Sequence, residues 1–188
     1  HKGYNAFTVN TEFINESDRT FTLEMLSSFS LDNLSPMHDD DAPNMYSLHR
    51  FRGGWSMEGK HICDDIEELS LEKAWIGAFP ETEKFGSLGA YPTERFFPIA
   101  SFEDKEYNIY WTAQLAHNAT WQMELSRYGD TMSLSGGGAD CEFGRWHKNV
   151  APNESFSAPE AYISAVCGDI FEACRSITAL GEIKRREY

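Results

Sequence analysis

The 188-residue sequence is short of positive charge, short of cysteine, and without a long apolar run. Each shortage excludes a class of function. Against 30 Asp and Glu stand only 16 Lys and Arg, a formal charge of −14. A surface of that sign repels nucleic acid and anionic lipid, so neither is expected as a partner. The densest basic run, Lys184-Arg185-Arg186, lies at the extreme end and reads as a helix C-terminus or the lead into a linker. No stretch approaches the ~18 apolar residues that cross a bilayer. The opening His1-Lys2-Gly3 lacks the charged-then-apolar pattern of a signal peptide. The expectation is a cytoplasmic segment of a longer protein.

Cys63, Cys141, Cys167 and Cys174 contain no Cys-x-x-Cys pair, a spacing that argues against zinc. Reduced, mostly buried thiols are expected, with no metal and no cofactor. A Gly-x-Ser-x-Gly elbow and a cysteine-protease signature are both missing, and the six histidines are scattered. Nucleophilic catalysis therefore has no visible carrier. Ser135-Gly136-Gly137-Gly138 lacks the Gly-Lys-Ser/Thr and the following helix of a phosphate loop, and reads as a glycine-rich turn. His38-Asp39-Asp40-Asp41 lacks the Gly and distal Glu of a calcium loop, and reads as a solvated acidic loop. Glu58, Glu94, Glu124, Asp140 and Glu142 could form the paired carboxylates of a glycosidase. Among 30 acidic residues, surface solvation is the default for each.

What is abundant is aromatic side chain: 13 Phe, 8 Tyr and 5 Trp. These favour strands, and they offer flat apolar faces of the kind that stack on sugars. Period-two alternation predicts strands over Tyr4–Asn10 with Phe13-Ile14, then over Phe21–Leu31, the two forming a long hairpin. Further strands are predicted over Met45–Trp55, Tyr107–Leu115, Ala119–Arg127, Thr131–Leu134, Cys141–Trp146 and Phe156–Val166, with Pro159 marking an edge or bulge. Ile66–Phe79 is ambiguous, with Trp75-Ile76-Gly77 suiting a strand end; Gly86–Pro98 reads as a long irregular loop. Asp169 caps a helix carrying Ile170, Ala173, Ile177 and Leu180 on one face, with Gly181 stopping it. Strands at this spacing with one terminal helix predict an all-β, antiparallel β-sandwich, residues 1–167, followed by a helix and the start of a linker over 168–188.

The tryptophan segments are Arg52-Gly53-Gly54-Trp55-Ser56-Met57-Glu58, Trp111–Leu115, Ala119–Leu125 and Cys141–Trp146. Each Trp either fills the space between sheets or faces a sugar or a partner domain. Taken in order from Phe13 to Leu180, these segments and their neighbours resemble the N-terminal β domain of family 36 glycoside hydrolases, the α-galactosidase group. The resemblance starts at Phe13-Ile14-Asn15 and Ser27-Ser28-Phe29 and runs through Trp55–Glu58, Trp111–Gln114 and Trp121-Gln122. It continues in Gly137–Lys148 and ends in Pro152–Phe156 with Ala158-Pro159-Glu160.

That resemblance implies a β-supersandwich attached to a (β/α)8 barrel of the same protein. It implies catalytic aspartates on the barrel, one in a Lys-Trp-Asp setting. No Trp here precedes Asp, so no catalytic role carries over to this chain. The whole enzyme would cleave α-galactosides with retention, through two carboxylates about 5 Å apart. The 86–98 loop departs from the Ser-Ser-His pattern of many bacterial members, which leaves the substrate open. The leading expectation is an accessory domain that supports the barrel and shapes substrate access or an oligomer contact. Trp55, Glu58, Arg95, Phe96, Phe97 and Trp146 are the residues expected to face barrel or sugar. The alternatives are an independent carbohydrate-binding module and a purely structural oligomerisation domain.

Overall fold

The computed structural model describes residues 5–74, 81–89, 91 and 93–186. The Trp75-Ile76-Gly77 segment lies outside the described residues. In chain order the strands are β1 (Ala6–Val9), β2 (Glu12–Ile14), β3 (Phe21–Leu23), β4 (Ser27–Leu31), β5 (Tyr46–Arg52), β6 (Lys60–Asp65) and β7 (Glu81–Ser87). They continue with β8 (Phe96–Asp104), β9 (Ile109–Ala116), β10 (Trp121–Tyr128), β11 (Thr131–Gly138), β12 (Lys148–Val150), β13 (Ser155–Ser157) and β14 (Glu160–Cys167), followed by helix α1 (Ile170–Arg186).

Two sheets form the sandwich: a six-stranded one ordered β1-β14-β9-β8-β5-β6, and a four-stranded one ordered β4-β11-β10-β7. The described pairings are all antiparallel. Leu48, Phe102, Leu115 and Ile163 from the larger sheet meet Phe29, Trp121, Met123, Leu125 and Leu134 from the smaller one in a single core. Each such large apolar side chain, buried, stabilises the fold by roughly 1.5–3 kcal/mol before entropy is counted. Near β7 a cation joins the layers. The Arg50 guanidinium pairs at 2.7 Å with Asp64 of β6 and at 2.7 Å with Glu83 of β7, under the rings of Phe85 and Phe96.

The expected hairpin over the first thirty residues does not form. Instead β1 pairs with β14, β2 with β13, β3 with β12 and β4 with β11. The start of the chain thus lies antiparallel along residues 131–167 in a nested, interrupted ladder, passing from the larger sheet to the smaller. Alternation shows that a segment is a strand; it carries no information about which distant strand completes its hydrogen bonds. Between the two sheets the ladder is held by Asn15, 1% exposed. Its Nδ2 donates to the carbonyls of Arg19 and Val150, and its Oδ1 accepts from the backbone N–H and hydroxyl of Ser17.

Other expectations are corrected in the same way. Gly136 and Gly137 lie inside β11, not in a turn. A Cβ on Gly137 would stand 3.0 Å from both Leu26 O and Ser28 N, so glycine is needed there for the close approach of β4. The 141–146 segment is a string of bends, not a strand. The irregular loop shrinks, because β7 reaches Ser87 and β8 starts at Phe96. Pro98 hid β8: it sits where the β5–β8 register shifts between Arg50 and Arg52, a place where a missing N–H is tolerated.

The acidic loop is only partly solvated. His38 Nε2 lies 2.9 Å from Oδ2 of the fully buried Asp104, whose Oδ1 accepts the N–H groups of Glu106 and Tyr107. The carbonyl of Asp41 accepts both terminal nitrogens of the buried Arg127.

Helix α1 begins as expected, the Asp169 carboxylate accepting the Glu172 N–H at 2.8 Å. It buries Ala173, Ile177 and Leu180 on the outer face of the larger sheet, Ala173 against Tyr110 and Val166. It does not stop at Gly181. That glycine lies against the Tyr162 ring, and the helix runs on to Arg186.

Replacing Asn15 by Ala removes four hydrogen bonds, one of them to the carbonyl of the buried Val150. The expected loss is about 2–4 kcal/mol of unfolding free energy, read from the midpoint shift in urea at unchanged slope.

Candidate functional site

Where the ladder crosses between the sheets, an open cleft of about 650 Å³ forms. Its wall combines the β9–β10 turn, the end of β11, the 144–147 loop and residues 156–159. The loop carrying Trp146 is organised by Asp140, which is 4% exposed. The Asp140 carboxylate accepts the Phe143 N–H and receives Lys84 Nζ at 2.5 Å. The Asp140 carbonyl accepts the Trp146 N–H at 2.8 Å. The loop reverses at Gly144 and Arg145, whose φ angles of 106° and 52° are both left-handed. Trp146 then rests against Phe156, ring centroids 5.3 Å apart.

His117, Arg145 and His147 supply the cleft's polar rim. Burial holds His117 below its ordinary pKa, only partly opposed by a hydrogen bond to the Thr120 backbone. Its neutral form is therefore favoured. Among the described residues the lining carries no Asp or Glu, so this cleft has aromatic faces and donors for a ligand but no acid–nucleophile pair for hydrolysis.

Of the residues singled out from sequence, Trp146 alone lines this cleft. Trp55 is 92% exposed in the β5–β6 turn, beside the exposed Glu58, whose carboxylate accepts the Ser56 N–H. Arg95, also exposed, adjoins that turn through Gly53 N–H donating to the Arg95 carbonyl at 3.0 Å. A Cβ on Gly53 would overlap the Thr93 carbonyl, so the turn and the loop meet backbone to backbone. Phe96 points the other way. It is 8% exposed and packs in the core on Phe85 and Arg52, so it offers no face to a ligand.

Phe97, half-buried, lines a separate small hollow with Phe51, Ile99 and Cys174 on the outer face of the larger sheet. Between β7 and β8, Gly89 N–H donates to Thr120 on the cleft wall, and the Arg95 carbonyl accepts from Gly53 beside the Trp55 turn. His117, His147 and Phe156 were missed from sequence as cleft residues: His147 directly follows Trp146, but no local pattern joins His117 or Phe156 to it. All four cysteines are free, but three are exposed and Cys174 is intermediate, so the expected burial does not hold. No helix among the described residues is long and apolar enough to cross a membrane. The group able to hold a metal, His49, Cys63 and Glu103, lies away from the cleft on the outer sheet face.

No family model and no curated protein matches the chain. In three dimensions it is similar to solved α-galactosidases. Ninety-two per cent of it superposes on 21% of the α-galactosidase from Lactobacillus brevis, with TM-score 0.71 and 17% identity. The same shares, 92% and 21%, superpose on the galactosidase domain of an α-galactosidase–sucrose kinase, with TM-score 0.73 and 15% identity. A family GH36 α-galactosidase of Geobacillus stearothermophilus in complex with stachyose is covered over 22% by 94% of the chain, with TM-score 0.73 and 14% identity. The chain spans about a fifth of the length of these structures, consistent with their N-terminal domain alone. At such identities the likeness is one of fold, and it is the fold that the resemblance in the sequence implied.

Two outcomes test the cleft. Asp140→Ala should cost about 1–3 kcal/mol through the lost turn bonds and the lost ion pair with Lys84, with a change in tryptophan fluorescence that Trp146→Phe removes. Because the folded pKa of His117 is depressed, its contribution to stability is present above about pH 6.5 and lost as pH falls through the folded value. Urea midpoints measured from pH 7.5 downward should therefore decline less steeply in His117→Gln than in the parent chain.

Proposed function

We propose that this chain is the non-catalytic accessory β domain of an α-galactosidase-like retaining glycoside hydrolase. The observation that carries the reading is the extent of the likeness: nearly all of this chain matches one fifth of enzymes several times its length. The absence of carboxylates from the described lining of the cleft supports it chemically. In this reading residues 1–167 form the sandwich, and 168–188 lead toward a (β/α)8 barrel that carries the catalytic aspartates. The barrel is the domain's main partner, α-galactosides are the substrates of the whole enzyme, and the location is cytoplasmic. The Trp55 turn and the 88–95 loop are the surfaces we assign to the barrel, substrate entrance or an oligomer contact. Trp55 supports this assignment, since an indole 92% exposed is poorly accommodated by water alone.

A second reading has its own observation. The paired rings of Trp146 and Phe156 in an open, donor-rimmed cleft suit a sugar, as in an independent carbohydrate-binding module.

Calorimetric titration with galactose, melibiose and raffinose, run beside an α-galactosidase assay, separates the two. The accessory reading expects neither binding nor turnover by the chain alone, and both in the protein that carries the barrel. Saturable binding by the chain, abolished in Trp146→Ala, would replace it with the module reading. Turnover by the chain alone would overturn both.

A further inference from the structure

On the outer face of the larger sheet, α1 packs on β14, β9 and β1. On β5, β6 and β8 of the same face the register brings together three side chains that are far apart in sequence. His49 of β5 is directly opposite Cys63 of β6, and Glu103 of β8 lies diagonally across, paired with Ser47. His49 Nε2 is 2.8 Å from Glu103 Oε2 and 3.8 Å from Cys63 Sγ, and the three donor atoms all lie within 4.8 Å of one another. His49 is buried, Glu103 is intermediate, and Cys63 is at the solvent surface.

We propose that His49, Cys63 and Glu103 form a binding site for one divalent, borderline-soft metal ion of the zinc type. One imidazole nitrogen, one thiolate and one carboxylate are a donor set that suits this class of ion and disfavours calcium or magnesium. Zinc bonds of about 2.0–2.3 Å at the tetrahedral angle separate donor atoms by about 3.3–3.8 Å. The Nε2–Sγ distance already meets this, and the Nε2–Oε2 pair needs to open by only about half an ångström. Three protein ligands leave the fourth position to water.

The surrounding groups complete the arrangement. The other nitrogen of His49, Nδ1, lies 2.8 Å from His61 Nε2, and the other oxygen of Glu103 accepts the Tyr110 hydroxyl at 2.5 Å. Holding the distal atoms of both ligands in this way orients the proximal ones. His61 is itself stacked on Phe51, which limits the positions its ring can take. The site is independent of the glycosidase reading and would stand if that reading failed.

The test is titration of the metal-stripped full chain with Co²⁺, followed by thiolate-to-metal charge-transfer absorption, and with Zn²⁺, followed by calorimetry. One ion per chain is expected. The charge-transfer band should persist when the other thiols are removed together (C141S, C167S, C174S) and vanish in Cys63→Ser, a surface change that leaves the core untouched. Zn²⁺ affinity should fall by at least about tenfold in Cys63→Ser and in His49→Gln, and by about tenfold in His61→Gln, where only orientation is lost. A band that survives Cys63→Ser, or disappears from the triple variant, would overturn the assignment. So would Zn²⁺ affinity equal in the parent and His49→Gln chains.

Discussion

The pairing of residues 6–31 with the last strands sets the terms for everything else in this fold. Four short strands, none of them stable alone, acquire partners only when residues 131–167 lie alongside them. Everything from Asp32 to Asp130 is thereby enclosed in one loop, whose closure costs entropy before any of its own contacts repay it. Because the ladder starts in the larger sheet and ends in the smaller, it also fixes how the two layers face each other. The cleft is a by-product of this crossing: its walls are the segments that change sheets.

Polar groups hold the places where regular strand pairing gives out. Asn15 supplies four hydrogen bonds at the crossing, and Asp140 knots the loop that presents Trp146. Asp104 anchors the loop of His38, and Arg50 joins the sheets near β7. Each is buried and finds partners for its charge or amide, the Arg50 Nε excepted, as the cost of an unpaired polar group in an apolar interior requires. Apolar burial makes the sandwich stable; these few residues select its connectivity.

The surface divides into regions of different chemistry. The cleft offers rings and donors without carboxylates, suited to holding a ligand or a neighbouring domain. The Trp55 turn is an apolar projection next to the 88–95 loop. The outer face of the larger sheet carries imidazole, thiol and carboxylate within a few ångströms of one another.

Composition and alternation by themselves determined the class, an acidic, strand-rich sandwich with one terminal helix capped by Asp169; the likeness in fold to an α-galactosidase domain was implied instead by the resemblance of ordered segments. These properties are local or additive, and so can be read residue by residue. Partnership was not legible there. The hairpin expected at the N-terminus dissolved into pairings more than a hundred residues apart, β8 was masked by Pro98, and the glycines of β11 proved to answer the approach of another strand. Phe96 looked like a surface aromatic until its register turned it into the core. His49, Cys63 and Glu103 carried no spacing that betrayed them, because their meeting depends on three strands lying side by side in one register. Sequence determined that the chain is rich in strands and ends in a capped helix; tertiary structure alone decided who lies next to whom, since hydrogen-bond partners and site geometry arise only when distant strands share a sheet.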